Sequence, residues 1–373
     1  MKLALIADTH FGYARFEEDA FRQAEYALRD AEKRADAIIV AGDIFDVKIP
    51  RLETLERAAA LFSSIKKPVY LIHGNHERRS RDMVNPVQLL SMLSNVHYLH
   101  ARTEAIGGNG KPGTENEQVL LTAMGSVPEE LAKDALNKVV AQEKARLDGG
   151  KFRILLIHQS IKELVYGGPE ELSLDDLRGL PFELIVNGHI HRRHSEMGGK
   201  LIIPGSTVIT QLRNDEQGER GYVLYNTKEG KGEFAPVPSR LFFYNELKFE
   251  NASLEEVKAG VDAWIKEMRE KHPECVLKVK ISGTLKDGLQ GNDLSLSYPD
   301  GIYVQNGLNA QSISEKIKKM REKHEDKASV REVAVRRLCE RLKGKVTMFE
   351  AAELFERLAE SAEAAQSYID GRN

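Results

Sequence analysis

The chain has 373 residues, of which 41% are hydrophobic and 30% are charged, and its formal net charge is -3. This length and composition are typical of a globular protein with two or three domains and a substantial apolar core. The small net charge argues against a uniformly basic nucleic-acid coat, although local basic patches remain compatible with it.

The sequence gives no sign of a membrane segment or of disulfide chemistry. No apolar run approaches the ~20 residues that are needed to span a bilayer. Asp8 lies too early for the apolar region of a signal peptide. Two cysteines, Cys275 and Cys339, are too few for a disulfide framework or a zinc cluster. We therefore expect a cytoplasmic protein without membrane association.

Short apolar runs alternate with amphipathic stretches through the first half of the chain. The predicted buried strands are Lys2–Ala7, Ala37–Ala41, Val69–Ile72, Arg153–Ile157 and Glu183–Val186. The predicted helices are Glu17–Arg34, Leu52–Ser64 and Glu129–Arg146. This alternation predicts an α/β fold with parallel crossovers, in which ligands bind beyond the carboxyl ends of the strands.

Side chains of the kind that bind metal ions follow each predicted strand. The motifs are Asp8-Thr9-His10, Gly42-Asp43-Ile44-Phe45-Asp46, Gly74-Asn75-His76-Glu77, His158-Gln159 and Gly188-His189-Ile190-His191. Asp, Asn and His are suitable ligands for divalent manganese, iron or zinc. Each motif alone could be a turn, a helix cap or a buried histidine. Because all of them follow strands in one predicted fold, together they predict a metal site.

The order of these motifs resembles that of the calcineurin-like metallophosphoesterases, over roughly the first 210 residues. Within that superfamily the sequence is most similar to DNA double-strand-break repair nucleases of the meiotic-recombination-eleven (SbcD-like) type. The additional similarity lies in Gly74–His100, in the HFGY segment at His10–Tyr13 and in the PGST segment at Pro204–Thr207.

The resemblance implies central β-sheets flanked by helices, followed by a small α+β capping domain and a C-terminal helical segment. We expect a nuclease domain at residues 1–238, a capping domain at 239–310 and a partner-binding segment at 311–373. Within the capping domain, Leu241–Phe249 and Cys275–Ser282 are predicted strands. The helix between them is predicted to begin with a capping box of Ser253 and Glu256.

The resemblance also implies two Mn²⁺ ions per chain. The implied ligands are Asp8, His10, Asp43 and His191 for one ion, and Asp43, Asn75, His158 and His189 for the other. His76, which follows a ligand, would stabilise charge at the scissile phosphate or protonate the leaving oxygen. Some family members have His three residues after the bridging Asp. This chain has Asp46 there, a carboxylate that could orient a neighbouring ligand.

Basic side chains lie beside two of the metal motifs. The candidate DNA-binding residues are Arg78, Arg79, Arg81, Arg192, Arg193 and Tyr13. Arginine suits bidentate contact with phosphate, and tyrosine could stack on a base. The alternatives are that the arginines lie in solvated loops and that Tyr13 packs in the core.

Two further segments are candidate interfaces. Leu89, Leu90, Met92 and Leu93 form an apolar cluster that belongs either to a homodimer interface or to the core. The C-terminal segment is highly charged but carries a short apolar stripe of Phe349, Leu354, Phe355 and Leu358. The resemblance implies that this stripe binds a coiled-coil ABC-type repair ATPase. The basic part of the same segment could also bind DNA.

The leading hypothesis is therefore a manganese-dependent DNA exonuclease and endonuclease of double-strand-break repair. The resemblance implies 3′-to-5′ polarity and association with the nucleoid. One alternative is a small-molecule phosphoesterase, such as a phosphatase or a cyclic-nucleotide phosphodiesterase. Another is a non-catalytic scaffold on the same fold, although every implied ligand and His76 are present.

Overall fold

The computed structural model of the protein describes residues 1–80, 82–106, 119–147, 152–165, 172–286 and 289–309, together with Glu353, Arg357 and Tyr368. No helix in these ranges is both long and apolar enough to cross a membrane. The chain divides into two compact units. The first contains residues 1–245, 264–279 and 298–303, and the second contains 246–263, 280–297 and the described residues from 304 onward.

The described strands and helices are as follows. The strands are β1 (Lys2–Ile6), β2 (Ala37–Val40), β3 (Val69–Leu71), β4 (Val96–Tyr98), β5 (Arg102–Ile106), β6 (Val119–Met124), β7 (Phe152–Ile157), β8 (Leu184–Asn187), β9 (His194–Glu196), β10 (Leu201–Ile203), β11 (Gly221–Asn226), β12 (Lys231–Pro236), β13 (Phe242–Ala252), β14 (Val276–Leu285) and β15 (Ile302–Asn309). The helices are α1 (Glu17–Arg34), α2 (Leu52–Ser64), α3 (Pro86–Leu90), α4 (Ala132–Leu147), α5 (Leu174–Arg178) and α6 (Leu254–Lys271).

Two six-stranded sheets form the body of the first unit. Their strand orders are β12-β11-β1-β2-β3-β4 and β5-β6-β7-β8-β10-β9. The strands β1 to β4 are parallel to one another, as are β6, β7 and β8. The carboxyl ends within each parallel set therefore lie on one edge of its sheet. A third sheet has the order β13-β14-β15.

Alternation along the strands places one apolar layer between the two large sheets. Leu3 and Leu5 of β1 belong to the same buried cluster as Leu121 of β6 and Leu156 of β7. The intervening residue Ala4 belongs to a different cluster, which includes side chains of α1 and α2. Since successive side chains of a strand point to opposite faces, the architecture is a sandwich of two sheets with helices outside.

The predicted elements of the first unit are confirmed closely. Helices α1 and α2 have the predicted bounds, and the five predicted strands are found within a residue or so of their predicted ends. The predicted strands divide between two sheets, three in the first and two in the second. The sequence prediction omits β6, although its apolar run is fully buried.

The predicted strand–helix–strand order after residue 239 is also found, as β13, α6 and β14. Ser253 Oγ accepts a hydrogen bond from Glu256 N at 3.2 Å, and Glu256 Oε2 accepts one from Ser253 N at 2.6 Å. These reciprocal bonds are the predicted capping box. The predicted domain boundaries after residues 238 and 310 stay predictions.

The predicted apolar cluster near α3 is divided between core and surface. Leu90 is buried and Leu93 packs against the same core cluster, so core packing accounts for both. Leu89 is 44% exposed and Met92 is 84% exposed. Leu89 and Met92 are therefore the two exposed side chains of the four.

The layer between the sheets gives a direct test of the architecture. Leu5 is fully buried between the sheets, and we expect Leu5→Ala to lower the free energy of unfolding by about 2–5 kcal/mol in chemical denaturation. The control is Leu131→Ala, because Leu131 is 52% exposed and its loss should change stability by no more than about 0.5 kcal/mol. Equal effects of the two substitutions would contradict this packing.

Candidate metal centre

The loops that follow β1 and β2 run side by side and are joined by backbone hydrogen bonds. Asp8 N donates to Gly42 O at 3.1 Å, and His10 N donates to Asp43 O at 3.0 Å. Phe11 N continues the pattern by donating to the next carbonyl of the second loop. The polar ends of two neighbouring strands are thus fixed against each other by their main chains.

Four candidate ligands lie in the left-handed backbone region. The φ angles are 51° at Asp8, 46° at His10, 47° at Asp43 and 73° at His189. Such a conformation costs on the order of 1–3 kcal/mol at a non-glycine residue and persists only where the surroundings enforce it. Its concentration at these residues marks the strand ends as a functional site.

Two glycines allow the loops to approach closely. A Cβ at Gly42, which has a φ of +84°, would lie 2.5 Å from His158 Nδ1. A Cβ at Gly74 would lie 2.0 Å from Asp43 Oδ1. The absence of a side chain at both positions is therefore required by the packing of candidate ligands.

Asp8, His10, Asp43 and His191 form one cluster of potential metal donors. Each offers one ligand atom, and these atoms lie within 4.8 Å of one another. The Nε2 atoms of His10 and His191 are 3.2 Å apart, so both imidazoles face the same point.

Asp8 adds an electrostatic reason for a cation at this point. Its Oδ1 accepts a hydrogen bond from His189 N at 3.0 Å. Its Oδ2 is buried without a hydrogen-bond partner in the described part of the chain. Burial raises the pKa of Asp8 above its ordinary value. A divalent cation would satisfy this buried oxygen, so the cluster fits the ion that the motifs predict.

Asp43, His158 and His189 form a second cluster of donors, and Asn75 joins it. The Asn75 Oδ1 atom lies 3.1 Å from His158 Nε2 and 2.8 Å from His189 Nδ1. His158 Nε2 is also 3.2 Å from Asp43 Oδ2. Because Asp43 belongs to both clusters, its carboxylate occupies the position expected of a bridging ligand.

Asp43 and His158 form a buried pair of opposite charge. Burial alone would raise the pKa of Asp43, but His158 outweighs it and holds that pKa far below its usual range. Burial alone would lower the pKa of His158, but the Asp43 carboxylate raises it to about 9. Asp43 is therefore held as a carboxylate, the form that can bind a cation.

In each candidate histidine ligand, the ring nitrogen that does not face the donor clusters also has a hydrogen-bond partner. His10 Nδ1 donates to Asp46 Oδ1 at 3.2 Å, which is the orienting role that the sequence suggested for this carboxylate. His158 Nδ1 donates to Ala41 O at 2.6 Å. These partners leave Nε2 of both rings directed into the clusters.

The other two histidines are held in the same way by groups that the sequence analysis did not identify. His189 Nε2 lies 2.8 Å from Ser160 Oγ, which leaves its Nδ1 for the second cluster. His191 Nδ1 lies 3.2 Å from Glu216 Oε1. Burial raises the pKa of Glu216, but its hydrogen bond with His191 and the charge of Arg220 bring it down to about 2.

Glu77 is a third residue to which the sequence analysis gave no role. Its Oε1 accepts from Phe45 N and its Oε2 accepts from Gly74 N, both at 2.6 Å. Burial and the neighbouring Asp43 raise the pKa of Glu77 to about 8. This side chain joins the loops after β2 and β3, and its position in the Gly-Asn-His-Glu motif was the available signal.

His76 lies at the edge of the clusters with one nitrogen available. Its Nδ1 donates to Asp46 O at 2.7 Å, and its backbone N donates to Asp43 Oδ1 at 3.0 Å. The His76 Nε2 atom is 4.0 Å from Asp43 Oδ2, and the side chain is 37% exposed. Its Nε2 is therefore the ring nitrogen without a hydrogen-bond partner among the described residues.

A cavity of about 200 Å³ opens above the donors. Its lining residues include Asp43, Asn75, His76, His189, His191, Arg192, Gln211, Arg213 and Glu216. Arg213 is a cation that the sequence analysis missed, and its guanidinium pairs with Asp215. The segment that contributes Gln211, Arg213 and Glu216 follows the PGST motif in sequence.

The predicted DNA-binding arginines do not share one environment. Arg192 is exposed and lines the cavity. The Arg193 guanidinium instead lies 3.6 Å from the centre of the Phe234 ring. Arg81 lies outside the described residues.

The other predicted DNA contacts also have partners within the protein. Arg78 donates to Ser126 Oγ at 3.3 Å, and Arg79 donates to the backbone carbonyl of Val84 at 3.0 Å. The Tyr13 hydroxyl donates to the backbone carbonyl of Thr210, and the ring is half-buried. The predicted partner-binding side chains lie outside the described residues, namely Phe349, Leu354, Phe355 and Leu358.

The chain is similar in sequence to known DNA double-strand break repair proteins. The chain is 27% identical over 291 residues to the DNA double-strand break repair protein Mre11 of Archaeoglobus fulgidus, and the alignment covers 67% of this chain and 62% of that protein. It is 25% identical over 302 residues to the protein of the same name from Methanosarcina acetivorans, covering 74% of this chain and 45% of that protein. The chain thus spans about half to two thirds of the length of these relatives.

The resemblance predicted from the motifs is confirmed. The family model of the calcineurin-like phosphoesterases matches residues 1–193, which include every candidate metal ligand. The two sheets flanked by helices agree with the core fold that this resemblance implied. The chain belongs to the calcineurin-like phosphoesterase family.

Proposed function

We propose that the protein is a phosphodiesterase that cleaves DNA in double-strand-break repair. The observation that carries the proposal is the convergence of the two donor clusters on the shared Asp43, with His76 at their edge. The relatives from Archaeoglobus fulgidus and Methanosarcina acetivorans are DNA double-strand break repair proteins, which supports DNA as the substrate. The proposed activities are 3′-to-5′ exonuclease and single-strand endonuclease.

The proposed cofactors are two Mn²⁺ ions per chain. One would be held by Asp8, His10, Asp43 and His191, and the other by Asp43, Asn75, His158 and His189. Two such ions, when bound, lower the pKa of a water molecule and stabilise negative charge during an in-line displacement at phosphorus. The imidazole and carboxylate donors suit manganese, since the clusters contain no thiolate among the described residues.

The protein's own residues orient the reacting groups. The loops after β1 and β2 hold Asp8 and Asp43 in place through their main chains, so the donors need little rearrangement. His76 is positioned by Asp46 O so that Nε2 faces the cavity. From there His76 can donate a hydrogen bond to a phosphate oxygen or a proton to the leaving oxygen.

A variant of His76 should separate metal binding from chemistry. We expect His76→Ala to bind two Mn²⁺ ions per chain while its nuclease rate falls by roughly 10²-fold or more, because a proton donor is lost. We expect Asp43→Ala to lose metal as well, since Asp43 belongs to both clusters. Metal content by mass spectrometry and cleavage of labelled single-stranded DNA measure the two effects.

The control is His194→Ala. His194 pairs with Glu196 and is not among the donors, so this variant should keep both metal and activity. Wild-type cleavage by His76→Ala would overturn the role proposed for His76. Metal-independent cleavage by the wild type in the presence of chelator would overturn the proposed reaction itself.

Arg192 is proposed to contact the DNA backbone at the mouth of the cavity. We expect Arg192→Ala to weaken DNA binding at every sequence and to reduce the slope of log Kd against log salt by about 1. Arg193→Ala is the matched control, because its guanidinium lies on the Phe234 ring. Fluorescence anisotropy at several salt concentrations measures the DNA affinity of both variants. Equal losses of affinity in the two variants would contradict a specific role for Arg192.

We also propose a homodimer that uses the exposed apolar side chains near α3. Leu89→Asp combined with Met92→Asp should give folded, metal-loaded monomers, since neither side chain contributes to the buried core. Leu131→Asp, at another exposed apolar position, is the control and should leave the dimer intact. Sedimentation velocity measures the outcome. A double variant that remains a dimer, or a wild type that is monomeric, would refute this interface.

The remaining proposals depend on the resemblance. The segment 311–373 is proposed to bind a coiled-coil ABC-type repair ATPase through its apolar stripe. Residues 239–310 are proposed to act as the capping domain that helps to seat DNA. The protein is proposed to work in the cytoplasm at the nucleoid.

A further inference from the structure

Glu216 is an unusually buried acid in an otherwise exposed turn. It ends the short 3₁₀ turn Asn214–Glu216, and only 3% of its surface is exposed. Its Oε1 accepts from Thr210 Oγ1 at 2.9 Å and from Thr210 N at 3.3 Å, and its Oε2 accepts from Gln211 N at 2.7 Å. The two carboxyl oxygens of Glu216 together accept three hydrogen bonds from Thr210 and Gln211.

Arg220 is a buried residue that hydrogen-bonds the same segment. It is 5% exposed and donates to Ser206 Oγ at 3.0 Å, to His191 O at 3.2 Å and to Glu216 O. The buried guanidinium provides a positive charge close to the Glu216 carboxylate. Together the two residues fix the turn against the main chain of His191.

The contacts of Glu216 select one protonation pattern at His191. Thr210 Oγ1 lies 2.5 Å from His191 Nδ1 and donates its only proton to Glu216 Oε1. The hydroxyl can therefore only accept from Nδ1, which must carry a proton. Glu216 Oε1, 3.2 Å from Nδ1, also favours a proton there. His191 Nε2, beside His10 Nε2, is then left with a free lone pair.

We propose that Glu216, acting through Thr210, is a positioning residue that holds His191 as a metal ligand. This inference rests on the proposed dinuclear centre. His158 and His189 are held instead by neutral groups, Ala41 O and Ser160 Oγ. Loss of the Glu216 carboxylate should therefore affect the ion that His191 binds and spare the other ion.

The variant Glu216→Gln tests the proposal in the full-length chain. An amide replaces one carboxylate oxygen, so one of the groups that donates to Glu216 must face an NH₂ group. We expect one of the two Mn²⁺ binding steps to weaken about 10–100-fold in isothermal titration calorimetry, while the other step is unchanged. Raising the Mn²⁺ concentration should then restore DNA cleavage, which a general loss of structure would not allow.

Three further variants complete the test. Thr210→Val removes the hydroxyl that links Glu216 to His191 and should also weaken one Mn²⁺ binding step. Thr210→Ser keeps a hydroxyl and should bind Mn²⁺ with wild-type affinity. If Glu216→Gln does not fold, this pair decides the question. Glu196→Gln is the matched control, because Glu196 pairs with His194 at 2.7 Å outside the clusters.

The outcomes distinguish this inference from the proposed function. Wild-type protein that binds no Mn²⁺ would overturn both the dinuclear centre and the role of Glu216. Wild-type protein that binds two ions, with unchanged affinities in Glu216→Gln or in Thr210→Val, would overturn only the positioning role. Equal weakening of both binding steps would also overturn it, because the effect would not be confined to the ion of His191.

Discussion

The two sheets of the first unit are joined at their carboxyl edges by hydrogen bonds that the candidate metal ligands themselves make. His158, after β7 of the second sheet, donates to Ala41 O beside β2 of the first sheet. The backbone of His189, after β8, donates to Asp8 after β1. The groups that would bind the ions therefore also hold the two halves of the sandwich in register at this edge.

This arrangement explains how the chain sustains unfavourable backbone angles. Asp8, His10, Asp43 and His189 are all left-handed, at a total cost of several kcal/mol. Two features of the fold offset that cost. They are the large apolar layer between the sheets and the main-chain hydrogen bonds between the loops after β1 and β2. A site that is built on strand ends in this way is rigid, so its candidate donors are held in fixed positions.

Much of the fold could be predicted because its signals are local. The periodicity of α1 and the apolar runs of β1 and β2 lie within single short windows of sequence. Short strands such as β4 and β9 have three residues each and are partly exposed, so they carry too little periodicity to be recognised. The six residues of β6 are all buried and mostly apolar, so this strand does carry the local signal of a buried strand.

The candidate ligands could be predicted because each lies in a short motif next to a strand. Of the supporting residues, Asp46 and Glu77 also lie in such motifs, whereas Glu216 and Ser160 could not be predicted, because their contacts with the histidines are distant in sequence. Glu216 meets His191 25 positions away, and Ser160 meets His189 29 positions away. Whether an individual arginine is available to DNA depends on its neighbours in space, as the contact of Arg193 with the Phe234 ring shows.

The glycines at the strand ends have a consequence for how this sequence can vary. At Gly42 and Gly74 the nearest atoms to an added Cβ belong to His158 and Asp43, which are candidate donors. A single methyl group at either glycine would thus displace a candidate donor without replacing that donor in the sequence. At Gly198 and Gly230 an added Cβ meets nothing within 4 Å, so the cost of a side chain there comes from the positive φ angles of +68° and +65°. At Gly42 and Gly74, by contrast, the candidate donors themselves leave no room for a side chain.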